Sequence, residues 1–339
     1  MYNQIMDQKA LQTFVDKLFI FDKKPAYLSD KSILKAKIYE LLTPHWLRFR
    51  PVEESIKELI QKKIAEFVEN DEPIKILNAY GGFKNPRIDS SPHIDWAELM
   101  HLSFFTHTLT KIAEIYEPGV ALEYSGDAHA AVIVDNIKHE WVETYLVEYS
   151  QALTCFDNLT PKNFHITHRD FLDFYDLEMM RVEIEKLTLG QDLESKENRE
   201  LIDKYHARAK SNFVFDGEVD YSQLSDNEKD DLVKMSVIKA YKWYDLDFEK
   251  RGDYFAGMIP ICNITEFPDT YCIRSIRHMP APPFWQGKGV IQLEKDKISA
   301  VILHVDKFLS LESKLELMKV THPLEKCPTL GQIPLLSIV

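Results

Sequence analysis

The stretch Leu77-Asn-Ala-Tyr-Gly-Gly-Phe-Lys-Asn-Pro-Arg87, followed by Ile-Asp-Ser-Ser-Pro-His-Ile-Asp-Trp-Ala-Glu98, concentrates side chains able to hold an anion and move a proton. A β-prone run ends at Gly81-Gly82, which permits a tight backbone path, and Lys84, Asn85 and Arg87 follow in the loop. The loop feeds a helix start at Asp95, where exposed amides add to the pull of two cations on a phosphate or carboxylate. In α/β sheets such loops lie outside the carboxyl ends of strands, where ligands bind. The same residues also suit a solvated surface loop closed by a helix N-cap.

A second cluster is Tyr271-Cys-Ile-Arg-Ser-Ile-Arg-His278. On a strand over 270–278, Arg274 shares a face with Cys272 and Ile276, while Arg277 lies on the other face with Ile273 and Ser275. An arginine within an apolar strand requires an acid or an anionic ligand. Arg277 and His278, at the strand end, are placed to join the anion site of Lys84. Ser125-Gly126-Asp127-Ala-His129 puts an acid and an imidazole at a sheet end, able to pass a proton. It is equally ordinary turn chemistry for a hairpin between strands at 119–124 and 130–134.

Metal chemistry has two openings. His93-x-Asp95 resembles the first two ligands of a mononuclear non-heme iron oxygenase, and Glu98-x-x-His101 has the spacing of di-iron bundles. Asp95 is also explained as a helix cap, and a second Glu-x-x-His is missing. His165 and His168, on a strand end, face opposite ways and make a poor ligand pair. Trp141, Tyr145 and Tyr149 recur at helical spacing and read as packing. Pro280-Ala-Pro-Pro-Phe-Trp285 is a stiff loop that serves either as a pocket wall or as a buried anchor. The common nucleotide-binding, serine-hydrolase and zinc-protease signatures are absent.

The elements that must position these residues follow from periodicity. Helices are expected over 5–19, from Ser29, and from Pro51 through Phe67, giving an N-terminal helical layer over 1–72. From 73 to 339 the pattern is α/β: a strand at 74–77, a helix from Asp95 to Tyr116, strands at 119–124, 130–134 and 163–167, and a helix over 139–155. A charged helical region spans 170–251, broken at Asp216-Gly217. Strands at 257–265, 270–278, 288–294 and 299–304 and a helix over 306–319 complete the chain. The 54 acidic and 41 basic residues give a net charge of −13, which repels phosphate backbones and anionic lipid, so nucleic acid and membrane are not expected partners. No signal peptide is evident. Four cysteines without a C-x-x-C pair read as reduced thiols of a cytoplasmic protein.

The order of segments carries a resemblance. Phe83-Lys84-Asn85-Pro86, Asp95-x-x-Glu98 opening a long helix, Ile115-Tyr-Glu-Pro-Gly119 and Ser125-Gly126-Asp127 together look like the pyoverdine/dityrosine biosynthesis family of isocyanide synthases. Ile273-Arg-Ser-Ile-Arg-His278 is similar to a later strand of that family. This chain departs from the pattern in placing His93-Ile94 before Asp95 and in the order Ser125-Gly126-Asp127. The resemblance implies a Rossmann-like α/β enzyme that converts an amino acid's amine to an isonitrile with a carbon from ribulose 5-phosphate, using neither metal nor nicotinamide cofactor. Its substrates are then an amino acid and a sugar phosphate. Lys84, Asn85, Arg87, Arg274 and Arg277 are the expected substrate and phosphate ligands, and Glu98, Asp127, His129 and His278 the expected proton carriers. A relative that kept the fold as a non-catalytic binding module is the further alternative.

Overall fold

In the computed structural model, residues 8–21, 24–80, 83–87, 93–262, 271–277, 281–294, 297–324 and 327–338 are described. Five strands, β1 (Ile74–Tyr80), β2 (Val120–Gly126), β3 (Phe164–Arg169), β4 (Ile259–Cys262) and β5 (Tyr271–Cys272), pair in the order β3-β2-β1-β4-β5. Every pairing in this sheet is parallel. Parallel strands need crossovers, and helices provide them on the sheet faces. β1 is accordingly apolar on both faces, with Ile74, Ile76 and Leu77 all buried.

The chain leaves β1 toward β2 and β3, then returns to add β4 and β5 on the other side. That reversal makes the carboxyl ends of β1 and β4 the topological switch point, where open α/β sheets bind ligands.

Helix α4 (Trp96–Ile115) joins β1 to β2 and is the most enclosed element, buried from Trp96 to Ser103 without a break. Its start is fixed by a capping box: Ala97 N donates to Asp95 Oδ1 at 2.6 Å, and Asp95 N donates to Glu98 Oε2 at 2.9 Å. Helices α5 (Ala130–Val134) and α6 (His139–Leu159) connect β2 to β3, and α7 (Leu177–Thr188), α8 (Lys196–Asn212) and α9 (Asp226–Ala256) precede β4. The N-terminal α1 (Gln8–Lys17), α2 (Lys31–Leu42) and α3 (Glu54–Glu69) place Leu11, Ile38 and Ile60 in the same core as Ile76 and Leu122 of the sheet.

A second, mixed sheet contains β6 (Gly287–Glu294), β7 (Lys297–His304), β8 (Glu316–Lys319) and β9 (Gln332–Ile338) in the order β7-β6-β9-β8. Helix α10 (Val305–Leu311) follows β7. Gly289 of β6 crosses α4 so closely that a Cβ there would lie 2.3 Å from Ala97 N and Trp96 C. Its amide donates to Asp95 Oδ1 at 3.2 Å, so the second sheet is docked on the α4 cap.

Three expectations are corrected. Residues 130–134 form α5, not a strand, because an all-apolar five-residue run has no period to separate helix from strand. Ala130, Ile133 and Val134 pack against Trp243 of α9, and no hairpin follows β2. Of the strand expected over 270–278, the described residues 271–277 form one only at Tyr271–Cys272, since at Ile273 the backbone leaves the sheet to bridge Arg48. The helix over 306–319 stops at Leu311, and Glu316–Lys319 pairs antiparallel with β9. Among the described residues, no helix is long and apolar enough to cross a membrane.

Candidate functional site

Lys84 lies just beyond the carboxyl end of β1, buried with its ammonium between two carboxylates. Its Nζ is 2.7 Å from Asp95 Oδ2 and 3.0 and 3.1 Å from the two oxygens of Glu98. Lys288 Nζ approaches Asp95 Oδ2 at 3.7 Å, and Tyr145 OH donates to Glu98 Oε1 at 3.2 Å. Two ammonium groups and two carboxyl groups thus share one interior site, and the opposed charges make their burial tolerable.

The two acids differ. Burial pushes the Asp95 carboxyl upward, but Lys84 and Lys288 outweigh it and hold the group below its ordinary value. For Glu98 burial prevails over the pull of Lys84, and the nearby Asp95 charge adds to it, raising the group to about 7. A buried carboxyl poised near neutrality can both accept and return a proton.

The expected anion-binding cations do not converge. Lys84 is neutralised by Asp95 and Glu98. Arg274 donates from Nε to Arg48 O at 2.8 Å, and Arg277 lies over the Trp46 ring at 5.5 Å. Trp46 packs on Phe104, six residues along α4 from Glu98, or about 9 Å at the helical rise. The cause is the early end of β5, beyond which period-two reasoning has no sheet to act on.

Arg87 keeps a half-exposed guanidinium, bonding Ser211 Oγ at 3.2 Å and Asp306 at 2.9 Å. Asn85 is a latch rather than an open ligand. Its Nδ2 donates to Asn212 Oδ1 and Gln286 Oε1 at 3.1 and 3.2 Å, and its backbone N donates to Trp285 O at 2.9 Å. His278 lies outside the described residues, as do Gly81-Gly82.

At the end of β2, Gly126 opposes Tyr80 of β1, and a Cβ there would meet the Tyr80 ring at 2.5 Å. Asp127 and His129 are buried just beyond. His129 Nδ1 is 2.9 Å from Asp170 Oδ1 and its Nε2 is 2.7 Å from Glu143 Oε1. Burial works against the charged imidazole, but the two carboxylates outweigh it and raise its pKa. Both ring nitrogens are thereby occupied, which suits His129 poorly as a base.

The iron-ligand pairing does not form either. His93 Nδ1 sits 2.6 Å from Glu148 Oε1, whereas Asp95 serves α4 and Lys84. His101 is a buried neutral ring. Its Nδ1 hydrogen-bonds Ser275 O at 2.9 Å, it stacks on Phe284 at 4.5 Å, and burial pushes it down to about 4. Phe284 and Trp285 are buried, as the anchor reading of this loop expects.

Several participants carried no signal for these contacts in the sequence. Lys288 and Tyr145 reach Glu98 and Asp95 from distant elements. Tyr80 OH meets His168 Nε2 at 3.1 Å across neighbouring strand ends. Arg251 of α9 donates to Ser125 Oγ at 2.9 Å while paired with Asp247. In the sequence, Tyr145 reads only as packing and His168 as half of a poor ligand pair. The i,i+4 spacing of Asp247 and Arg251 is the one signal that could have found that ion pair.

The strand order, the switch point at β1 and the ionisable groups gathered at its carboxyl end define a Rossmann-like α/β protein. Among solved structures, the fold is similar to that of the PvcA protein from Pseudomonas aeruginosa, with a TM-score of 0.62 at 20% identity, covering 89% of this chain and 99% of that one. The α/β fold implied by the family resemblance is therefore the fold observed. No protein-family model matches the sequence. No curated protein matches it either.

Proposed function

We propose that the chain is a divergent isonitrile synthase-like enzyme, which joins an amino acid's amine to a carbon drawn from a pentulose phosphate. PvcA belongs to the isonitrile synthase family, and the likeness of fold runs over nearly the whole of both chains. The observation that carries the reading is the Lys84–Glu98 pair at the carboxyl end of β1, a buried acid–base couple at the place where this fold class handles substrates.

Condensing an amine with a ketone expels water, and breaking a carbon–carbon bond moves a proton between oxygen and carbon. Both steps need a group that gives and takes protons near neutral pH. Glu98 has that character, with Lys84 stabilising its ionised form and Asp127 a second carrier at the neighbouring strand end. Arg87 is the phosphate ligand in this reading, exchanging Asp306 for the sugar phosphate. Arg274 and Arg277, held by Arg48 and Trp46, take no part.

The test is incubation of the full chain with ribulose 5-phosphate and each amino acid in turn, with mass detection of an isonitrile. Arg87→Ala is expected to raise KM for the sugar phosphate more than it lowers kcat. A stable protein that neither binds ribulose 5-phosphate nor forms an isonitrile overturns the reading in favour of a non-catalytic relative.

A further inference from the structure

We propose that His129, His139 and Glu143 form a binding site for a divalent first-row metal ion of the zinc type, with Asp170 orienting His129. Among the described residues this is the group of three metal-type donors that converges, its ligand atoms all lying within 4.8 Å of one another. His139 and Glu143 are four residues apart at the start of α6 and therefore share a face. His129 meets them from the end of β2. One oxygen, Glu143 Oε1, lies between the two imidazoles, 2.7 Å from His129 Nε2 and 3.3 Å from His139 Nε2.

A tetrahedral zinc ion with bonds of about 2.0 to 2.1 Å holds its ligand atoms about 3.3 Å apart. The observed spacings need only small side-chain shifts to reach that arrangement. Glu143 and His139 are free to make them, with side chains 51% and 46% exposed, while His129 is the fixed member at 2%.

The second shell is already in place. His129 Nδ1 faces Asp170 Oδ1 at 2.9 Å, the carboxylate–histidine arrangement that leaves Nε2 as the ligand atom. Charge points the same way. The carboxylates of Asp170 and Glu143 flank His129, and a dication at its Nε2 balances their charge. Two imidazoles and one carboxylate match the ligand preferences of zinc. A tetrahedral ion held by these three would have a fourth coordination position for a water or another ligand. The site does not depend on the reaction proposed above, since neither Lys84 nor Glu98 belongs to it.

The experiment is titration of the chelator-treated full chain with Co²⁺ followed by visible absorption, then displacement by Zn²⁺. The expected result is one equivalent bound, with the intense d–d bands of a four-coordinate ion that Zn²⁺ abolishes. His139→Ala and Glu143→Ala, both on exposed side chains, should each weaken Zn²⁺ binding at least as much as Asp170→Asn, which is expected to weaken it about 10- to 100-fold. Lack of saturable binding overturns the proposal, and so does binding whose affinity is unchanged in His139→Ala and Glu143→Ala.

Discussion

The ammonium of Lys84 lies within 3.1 Å of both carboxylate oxygens of Glu98, in a site closed to water. This contact ties the loop after β1 to the first turn of α4, because Glu98 also accepts the Asp95 amide. One carboxyl group therefore closes a helix cap, anchors a loop and holds a proton near neutrality.

Removing Lys84 should leave its carboxylates stranded. Lys84→Met is expected to destabilise the fold by about 3 kcal/mol or more, the usual consequence of breaking a buried ion pair from one side. Lys84→Met combined with Glu98→Gln should lose clearly less than the sum of the two single changes. Urea unfolding of the four proteins checks this, and additive losses would show that the pair is not coupled.

Glu98 should govern the pH dependence of the reaction. With its carboxyl near 7, the rate profile of the native chain in the proposed reaction should bend close to neutral pH. In Glu98→Gln that limb should vanish and the rate should fall about 10²- to 10⁴-fold. A variant that keeps the same bend would assign the proton to another group.

His129 gives a stability signature of definite sign. Its folded pKa is raised above the ordinary 6.5, so its stabilising pairs with Asp170 and Glu143 are fully present below that pH. They are lost as pH rises through the folded value. The stability advantage of the native chain over His129→Asn, measured with chelator present, should therefore shrink above about pH 6.5. An advantage that grows with pH would contradict it.

His101 should act in the opposite direction. Its ring stays neutral down to about 4 when folded but takes a proton near 6.5 when unfolded. Acidification across that interval favours the unfolded chain, by on the order of 3 kcal/mol in all. NMR titration should find a histidine that protonates only near pH 4, and ordinary titration of every histidine would refute this.

Two glycines should separate contact from propensity. Gly289→Ala forces a methyl against the α4 backbone and is expected to destabilise by about 1 to 3 kcal/mol. Gly252→Ala, in helix α9 with nothing within 4 Å of the new atom, should stabilise by about 0.5 to 1 kcal/mol. Thermal unfolding of both proteins gives the comparison, and equal shifts would mean that β6 is not docked on α4 as described.

Much of the frame was legible because local chemistry set it. The Asp95–Glu98 capping box was visible as a spacing, and the alternation of helix and strand from β1 to β3 followed from apolar runs and the Pro118-Gly119 stop. Ala130–Val134 was not legible, since a buried five-residue apolar run suits either element. The site was readable in part. Lys84 and Glu98 were singled out separately, but their contact depends on how the loop folds back over α4. Arg274 failed for the converse reason: its placement follows from a bridge between Arg48 and Ile273, more than two hundred residues apart, which no spacing encodes. Lys288 reaches Asp95 only because Gly289 lets the second sheet approach.

The most direct measurement supplies the chain with fully carbon-13-labelled ribulose 5-phosphate and unlabelled amino acids. An isonitrile product one mass unit heavier than its unlabelled counterpart is expected, with its formation strongly reduced in Glu98→Gln. An isonitrile without the label, or none from a folded protein with any amino acid, would contradict the account.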